Sequence, residues 1–248
     1  MILTIDVGNT STTFGLFDGD KLVLQFRRET NIHSSSDEIG CFFRVVLNEN
    51  GFDWHEIKKI GICSVVPSVN YSLMSACTKY LKCEPLFVQA GIKTGLKIKY
   101  ANPKEIGADL IAAAIGAVSL YPNRDTIVVD MGTATTLELV SKNNEFLGGS
   151  ILPGLKISID ALATGTAKLP SVEITKPEGI YGSTTPEAIQ VGTYYGNAGA
   201  IKEICYQYQQ KVFHGEKPFI LGTGGFAKVF SGYKLFDQIV PELVLLGV

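Results

Sequence analysis

The stretch that decides the fold is Ile2–Phe17, with the sequence ILTIDVGNTSTTFGLF. An apolar run rich in β-branched residues ends on Asp6, turns at Gly8-Asn9 and resumes as a second apolar run. This pattern predicts a β-hairpin with a tight Gly-Asn turn. The turn combines a carboxylate, a glycine that lets a ligand approach the backbone N–H groups, and short hydroxyl side chains. Taken alone, the stretch favours an ordinary hairpin whose Asp and Asn only satisfy the turn.

The same pattern occurs a second time. Thr126–Val140, with the sequence TIVVDMGTATTLELV, again has an apolar strand, an Asp, one apolar residue, a Gly, hydroxyls and a second strand. Its acid, Asp130, lies 130 − 6 = 124 positions after Asp6, half of the 248-residue chain. The repeat predicts two duplicated domains, residues 1–118 and 119–248, whose Asp-x-Gly turns face a shared cleft.

Composition excludes several classes of protein. A net charge of −2 gives no overall electrostatic attraction to nucleic acid or to an anionic membrane. The five cysteines form no C-x-x-C pair, which favours reduced thiols in a cytoplasmic protein over a disulfide framework or a zinc site. The N-terminus lacks the basic region of a signal peptide, and the small-apolar run Leu110–Val118 is too short to span a bilayer.

The remaining segments alternate between strand and helix, which indicates an α/β layer. Ser36 is a candidate cap for a helix that ends at Gly51, Ile57–Val66 has the pattern of a buried strand, and Pro67–Leu81 that of a helix. The chain contains no P-loop, and the glycines of residues 222–225 (GTGG) are too few for a dinucleotide fingerprint. They add a third glycine-bearing loop that could admit an adenosine.

Asp109 lies in an unusual place for a carboxylate. Asn102, Pro103 and Glu105 form a strong helix start, and the helix is predicted to run to about Leu120. Asp109 is flanked there by small and apolar residues, and no basic residue lies three or four positions away. A carboxylate in such a position is either paired or functional, and the missing partner favours function.

The glycine-bearing motifs resemble the phosphate and adenosine motifs of the actin, sugar-kinase and Hsp70-type ATPase superfamily. Two further motifs, Y-x-N-P-x-E-x-G-A-D at residues 100–109 and G-G-x-I-x-P-G-L at residues 148–155, resemble those of type III pantothenate kinase. The resemblance covers nearly the whole chain and implies a duplicated ribonuclease-H-like fold, a homodimer with substrate sites near the interface, and ATP-dependent phosphorylation of pantothenate, the first step of coenzyme A synthesis. It also implies Mg²⁺ and a monovalent cation, K⁺ or NH₄⁺.

The resemblance also implies roles for individual residues. Asp109 would be the base that accepts the proton of the pantothenate hydroxyl, although it could instead only orient that hydroxyl. Asp130 would bind the monovalent cation, and Asp6 would lie near the Mg²⁺–phosphate group. ATP would be bound by Asp6, Val7, Gly8, Asn9, Thr10, Ser11, Thr12, Thr13 and Thr133. Pantothenate would be bound by Tyr100, Gly107, Ala108, Asp109, Leu110 and Thr185.

Two of these residues also have purely structural explanations. Tyr100 could be a strand-end aromatic with a solvated hydroxyl, and Thr185 could cap the helix that begins at Pro186.

One residue departs from the family pattern. The family motif is Gly-Ala-Asp-Arg, whose arginine is expected to hold the substrate carboxylate, whereas residue 110 is Leu here. A charge-assisted Arg–carboxylate contact is roughly twice as strong as a neutral one. Two alternatives therefore stay open: a degenerate nucleotide-binding regulatory module, and a kinase for a related small hydroxylated acid or sugar.

Overall fold

The computed structural model describes residues 1–248, which form two compact units. The first unit contains Met1–Gly95, Ala101–Gly116 and Leu243–Val248, and the second contains Leu96–Tyr100 and Ala117–Glu242. The sequence boundary between residues 118 and 119 stays a prediction, because the chain passes between the units more than once.

The first unit is a five-stranded mixed sheet with helices packed on it. Its strands lie in the order β3-β2-β1-β4-β5. Its elements are β1 (Ile2–Val7), β2 (Ser11–Asp18), β3 (Lys21–Glu29), α1 (Ser36–Glu49), β4 (Lys59–Ser64), α2 (Pro67–Ala76, followed by a π-helical turn to Leu81) and β5 (Pro85–Phe87). Phe14, Phe43 and Ile62 are fully buried in its apolar core.

The second unit is a six-stranded sheet in the order β11-β10-β7-β8-β9-β6. Its strands are β6 (Lys97–Ile98), β7 (Thr126–Met131), β8 (Ala134–Ser141), β9 (Glu145–Pro153), β10 (Phe219–Thr223) and β11 (Gln238–Ile239). The helices in this part of the chain are α3 (Ala108–Leu120), most of which belongs to the first unit, α4 (Leu155–Gly165) and α5 (Thr185–Lys211).

The two sheets repeat one design. Strands β1, β2 and β3 have 6, 8 and 9 residues, and so do β7, β8 and β9. In both antiparallel meanders the register shifts after the sixth residue of the middle strand, at Leu16 and at Leu139. A parallel strand, β4 or β10, then pairs with the first strand of each meander. These matches confirm the predicted α/β fold of duplicated ribonuclease-H-like domains.

The hairpin turns differ in length. The second turn has the two residues between Met131 and Ala134, whereas the first has the three residues Gly8–Thr10 between Val7 and Ser11. The prediction of a tight Gly-Asn turn was therefore one residue too short. In both turns the glycine N–H donates to a carbonyl across the turn, from Gly8 to Ser11 and from Gly132 to Ala134.

Three predicted helix starts shift by one or more residues. Ser35 rather than Ser36 caps α1, and Thr184 rather than Thr185 caps α5; each cap faces a glutamate in a capping box. Asn102 caps only a short 3-10 turn, Pro103–Glu105, because the backbone is extended at Ile106. Helix α3 therefore begins at Ala108, which places Asp109 in its first turn.

The C-terminal segment returns to the first unit. Helix α6 (Leu243–Gly247) packs against β1 and α3, where Gly247 lies against the carbonyl of Ala112. No helix in the structure combines the length and the apolar character that crossing a membrane requires.

Candidate active site

The first predicted phosphate loop is held within the first unit by the end of β1 and the start of β2. Asp6 is half-buried near the end of β1, where it pairs with Thr13 on β2 and with Cys63 on β4. Asn9 and Thr10 are exposed at the tip of the turn. The loop therefore presents exposed backbone and hydroxyl groups, which can donate to phosphate oxygens, next to a carboxylate that can hold the accompanying cation.

Strand alternation divides the hydroxyls of this loop into two sets. Ser11 and Thr13 are half-buried, whereas Thr12 between them is buried on the side that carries Phe14. Successive side chains of a strand point to opposite faces. Ser11 and Thr13 therefore share a face that Thr12 does not.

Asp109, the predicted base, also belongs to the first unit. Its carboxylate accepts the backbone N–H of Leu110 at 2.9 Å, at the N-terminus of α3. Burial raises the pKa of this carboxyl, against the lowering effect of the backbone N–H groups of Leu110 and Asp109 itself. A carboxylate with a raised pKa is a better proton acceptor than an ordinary surface aspartate.

Gly107 makes room for this carboxylate. A Cβ at position 107 would lie 2.3 Å from Oδ1 of Asp109, closer than real side chains approach. Any other residue at position 107 would displace the carboxylate from the helix start. The spacing of the Gly-Ala-Asp motif thus has a steric reason.

The buried thiol of Cys63, which the sequence motifs did not indicate, is influenced by the charges of both Asp6 and Asp109. Cys63 on β4 is fully buried, and its pKa is raised first by burial and then by the charges of Asp6 and Asp109. Both carboxylates therefore lie within electrostatic reach of one sulfur atom. The predicted base and the acid of the first loop both belong to the first unit.

In the second unit, the second phosphate loop meets the predicted adenosine loop. Asp130 pairs with Thr136 on β8 and with Thr223 on β10. Gly224 has φ +85°, and a Cβ there would lie 2.3 Å from Oδ1 of Asp130. The backbone of the third glycine loop thus lies directly against the carboxylate, and Thr133 is exposed at the tip of the second turn.

The other predicted pantothenate residues lie in different places. Tyr100 is 41% exposed and belongs to the second unit, where its ring packs near Phe146 and Gly148. Thr185, also in the second unit, lines an open groove between α4 and α5 together with Ser158, Thr193 and Asn197. Ala108 and Leu110 are half-buried beside Asp109 in the first unit.

The site residues fit the groups that the family resemblance implies. Glycine turns with exposed residues at their tips, such as Asn9 and Thr133, suit phosphate oxygens. Mg²⁺ is usually held by one or two carboxylates together with substrate phosphates, which suits Asp6. The carboxylate of Asp130, half-buried against a backbone segment, has the oxygen chemistry that a monovalent cation requires.

Solved structures with similar folds support the two-unit architecture. A Campylobacter jejuni protein described as a conserved Baf family transcriptional activator aligns with a TM-score of 0.60 at 20% identity, covering 99% of this chain and 94% of that one. A Porphyromonas gingivalis protein described as an N-acetylglucosamine kinase aligns with a TM-score of 0.50 at 15% identity, covering 100% and 96%.

The sequence comparisons are more specific. A type III pantothenate kinase from Legionella pneumophila (strain Corby) is 53% identical over 248 residues, which is all of this chain and 96% of the relative. One from Elusimicrobium minutum is 44% identical with the same coverage. The family model described as type III pantothenate kinase matches residues 2–207. The chain therefore belongs to the type III pantothenate kinase family.

Proposed function

We propose that this protein phosphorylates pantothenate at the expense of ATP, giving 4′-phosphopantothenate in the first step of coenzyme A synthesis. The observation that carries the proposal is that Asp6, which pairs with Cys63 across β1 and β4, and Asp109 both act electrostatically on the buried Cys63 thiol. A phosphoryl transferase needs its base close to the loop that holds the phosphates, because the attacking oxygen must approach in line with the leaving group.

In the proposed reaction, Asp109 accepts the proton of the primary hydroxyl of pantothenate. The hydroxyl oxygen bonds to the γ-phosphorus of ATP while the bond from that phosphorus to the β–γ bridging oxygen breaks and ADP leaves. A positioned base contributes about 10²–10⁴-fold to such a step. The phosphates would be held by the loop from Asp6 to Thr13 and by Thr133.

The cations would neutralise the phosphate charge, which is their main contribution to phosphoryl transfer. We assign Mg²⁺ to Asp6 together with the ATP phosphates, and K⁺ or NH₄⁺ to Asp130. The support for the second assignment is the half-buried carboxylate of Asp130 against the Gly224 backbone.

Pantothenate would be bound by Tyr100, by the Gly107–Leu110 segment and by Thr185. We further propose a cytoplasmic homodimer with the substrate sites near its interface. Ile180 and Tyr181, which are adjacent in sequence shortly before α5 and are 78% and 79% exposed, are candidates for part of that interface. The cytoplasmic location is supported by the cysteines, all five of which are free, as is usual in a reducing compartment.

The direct test is turnover. With ATP, Mg²⁺ and K⁺, the purified protein is expected to convert pantothenate to 4′-phosphopantothenate, measured by coupled ADP release and by mass spectrometry of the product. Replacement of K⁺ by Na⁺ is expected to lower the rate by at least about tenfold, which is about 1.4 kcal/mol of transition-state stabilisation. ATP binding without turnover on pantothenate would contradict the proposal, and a panel of hydroxylated acids and sugars would then identify another acceptor.

Leu110 offers a second test, of how the substrate carboxylate is held. Leu110→Arg is expected to raise pantothenate affinity about tenfold, because a hydrogen bond to a charged group contributes about 1.5–3 kcal/mol. Calorimetry measures this affinity independently of any effect of the new cation on Asp109. Leu110→Met, which conserves volume and apolar character, is the matched control, and unchanged affinity in Leu110→Arg would place the carboxylate elsewhere.

A further inference from the structure

Thr30, the residue that follows β3, makes several contacts with the first phosphate loop. Its backbone N–H donates to the carbonyl of Thr10 at 3.0 Å. Its hydroxyl donates to the carbonyl of Gly8 at 2.7 Å and lies 2.9 Å from the hydroxyl of Thr12. One half-buried residue therefore joins both ends of the three-residue turn, with its side chain at Gly8 and its backbone at Thr10.

The direction of these hydrogen bonds can be worked out from the hydrogens available. A hydroxyl has one hydrogen, and a carbonyl can only accept. Because the hydrogen of Thr30 goes to Gly8, the bond between the two hydroxyls must use the hydrogen of Thr12. The Thr12 hydroxyl then has only lone pairs left to offer. Phosphate oxygens need donors, so this arrangement removes Thr12 from the groups that can hold phosphate.

The bond to Gly8 also fixes the orientation of a peptide group. In a trans peptide the C=O and the following N–H point in opposite directions. The Gly8 carbonyl points to Thr30, so the N–H of Asn9 points the other way, at the exposed tip of the turn. If this peptide rotated, it would present an oxygen rather than an N–H to an anion.

We propose that Thr30 is a positioning residue for ATP: it holds the Gly8–Asn9 peptide with its N–H towards the phosphates, and Thr12 belongs to this support rather than to the phosphate contacts. The inference rests on the proposed function, because it takes the loop to bind phosphate. Thr30 acts through the loop and does not itself contact the nucleotide.

The test compares ATP binding in matched variants, measured by calorimetry with Mg-ATP and no pantothenate. Thr30→Val removes the hydroxyl, keeps the shape and keeps the backbone bond to Thr10. We expect it to weaken ATP binding about tenfold or more, since it leaves a loop carbonyl free to turn. Thr30→Ser is expected to restore affinity to within about threefold, because it keeps the hydroxyl. Thr12→Val is expected to have a smaller effect than Thr30→Val.

Thr4→Val is the control for general damage. Thr4 is a buried threonine of β1 in the same sheet, and its hydroxyl donates to the carbonyl of Gly15 at 3.3 Å, away from the loop. Thr4→Val is expected to lower the free energy of unfolding without changing ATP affinity. If Thr30→Val does not fold, Thr30→Ala takes its place, again compared with Thr30→Ser.

The outcomes separate the two proposals. Wild-type ATP affinity in Thr30→Val overturns the role of Thr30, and a larger loss in Thr12→Val than in Thr30→Val overturns the assignment of Thr12. Wild-type protein that binds ATP but does not phosphorylate pantothenate refutes the proposed function and leaves this test intact. Wild-type protein that binds no ATP overturns both.

Discussion

Asp109→Asn is expected to lower kcat by about 10²–10⁴-fold while leaving ATP affinity within about twofold of wild type. The amide keeps the shape of the side chain and can still accept the N–H of Leu110, which the carboxylate now does at 2.9 Å. It cannot accept the substrate proton. Single-turnover measurements would separate the loss in chemistry from any change in product release.

The same substitution is expected to stabilise the fold. Burial raises the pKa of Asp109 above its ordinary value, so the folded state disfavours the charged carboxylate. The contribution of a group with a raised carboxyl pKa is present at low pH and is lost as pH rises through the folded-state value. At neutral pH Asp109 therefore costs stability, and Asp109→Asn should raise the free energy of unfolding in a urea titration. In the wild-type protein, the pH at which kcat falls on the acidic side of its pH profile should lie above the pKa of an ordinary aspartate.

Asp53→Asn is the matched control, because its expected effect on stability has the opposite sign. Asp53 is an exposed cap whose pKa is lowered by hydrogen bonds from His55. The stabilising contribution of Asp53 is present above its unfolded-state pKa, so Asp53→Asn is expected to lower stability slightly at neutral pH and to leave turnover unchanged.

If Asp109→Asn keeps wild-type kcat, Asp109 is not the base. If Asp109→Asn only weakens pantothenate binding, the side chain of Asp109 orients the hydroxyl instead.

Much of the fold follows from the sequence because the deciding signals are local and repeated. Each Asp-x-Gly hairpin begins with an apolar strand rich in β-branched residues, and each is followed by a third strand of the same length as its counterpart. Repetition made the duplication visible without any knowledge of the contacts between strands. The predicted start of α3 was wrong because Asn102 and Pro103 are equally compatible with a 3-10 turn, and the backbone is extended at Ile106 before the helix begins at Ala108.

The contacts around the site could not be predicted in the same way. The turn between β2 and β3 pairs Asp18 with Lys21, and an unbroken ladder from there would place Thr30 opposite Asn9. The register shift after Leu16 moves Thr30 to Thr10 instead. A bulge is set by packing and twist rather than by a local motif. The hydrogen bonds from Thr30 to the first phosphate loop could therefore not be predicted from the sequence. Cys63 was missed because its partners lie on other elements and far away in sequence.

Gly224→Ala is expected to damage the nucleotide site of the second unit. Position 224 has φ +85°, which costs a non-glycine residue about 1–2 kcal/mol. The new methyl would also lie 2.3 Å from Oδ1 of Asp130 and 2.7 Å from the backbone of Met131. Relieving such overpacking typically costs a further 1–3 kcal/mol or so.

Gly224→Ala is therefore expected to have two effects. The free energy of unfolding is clearly reduced, and ATP affinity is reduced by at least about tenfold even under conditions where the protein is fully folded. The second effect follows because the methyl can be accommodated only if the Asp130 carboxylate or the Gly224 loop moves. Gly225→Ala controls for stability, since a Cβ at position 225 has no atom within 4 Å. If Gly224→Ala binds ATP normally and its activation by K⁺ is unchanged, the close approach of this loop to Asp130 has no part in holding nucleotide or cation, and the assignment of Asp130 as the cation ligand fails with it.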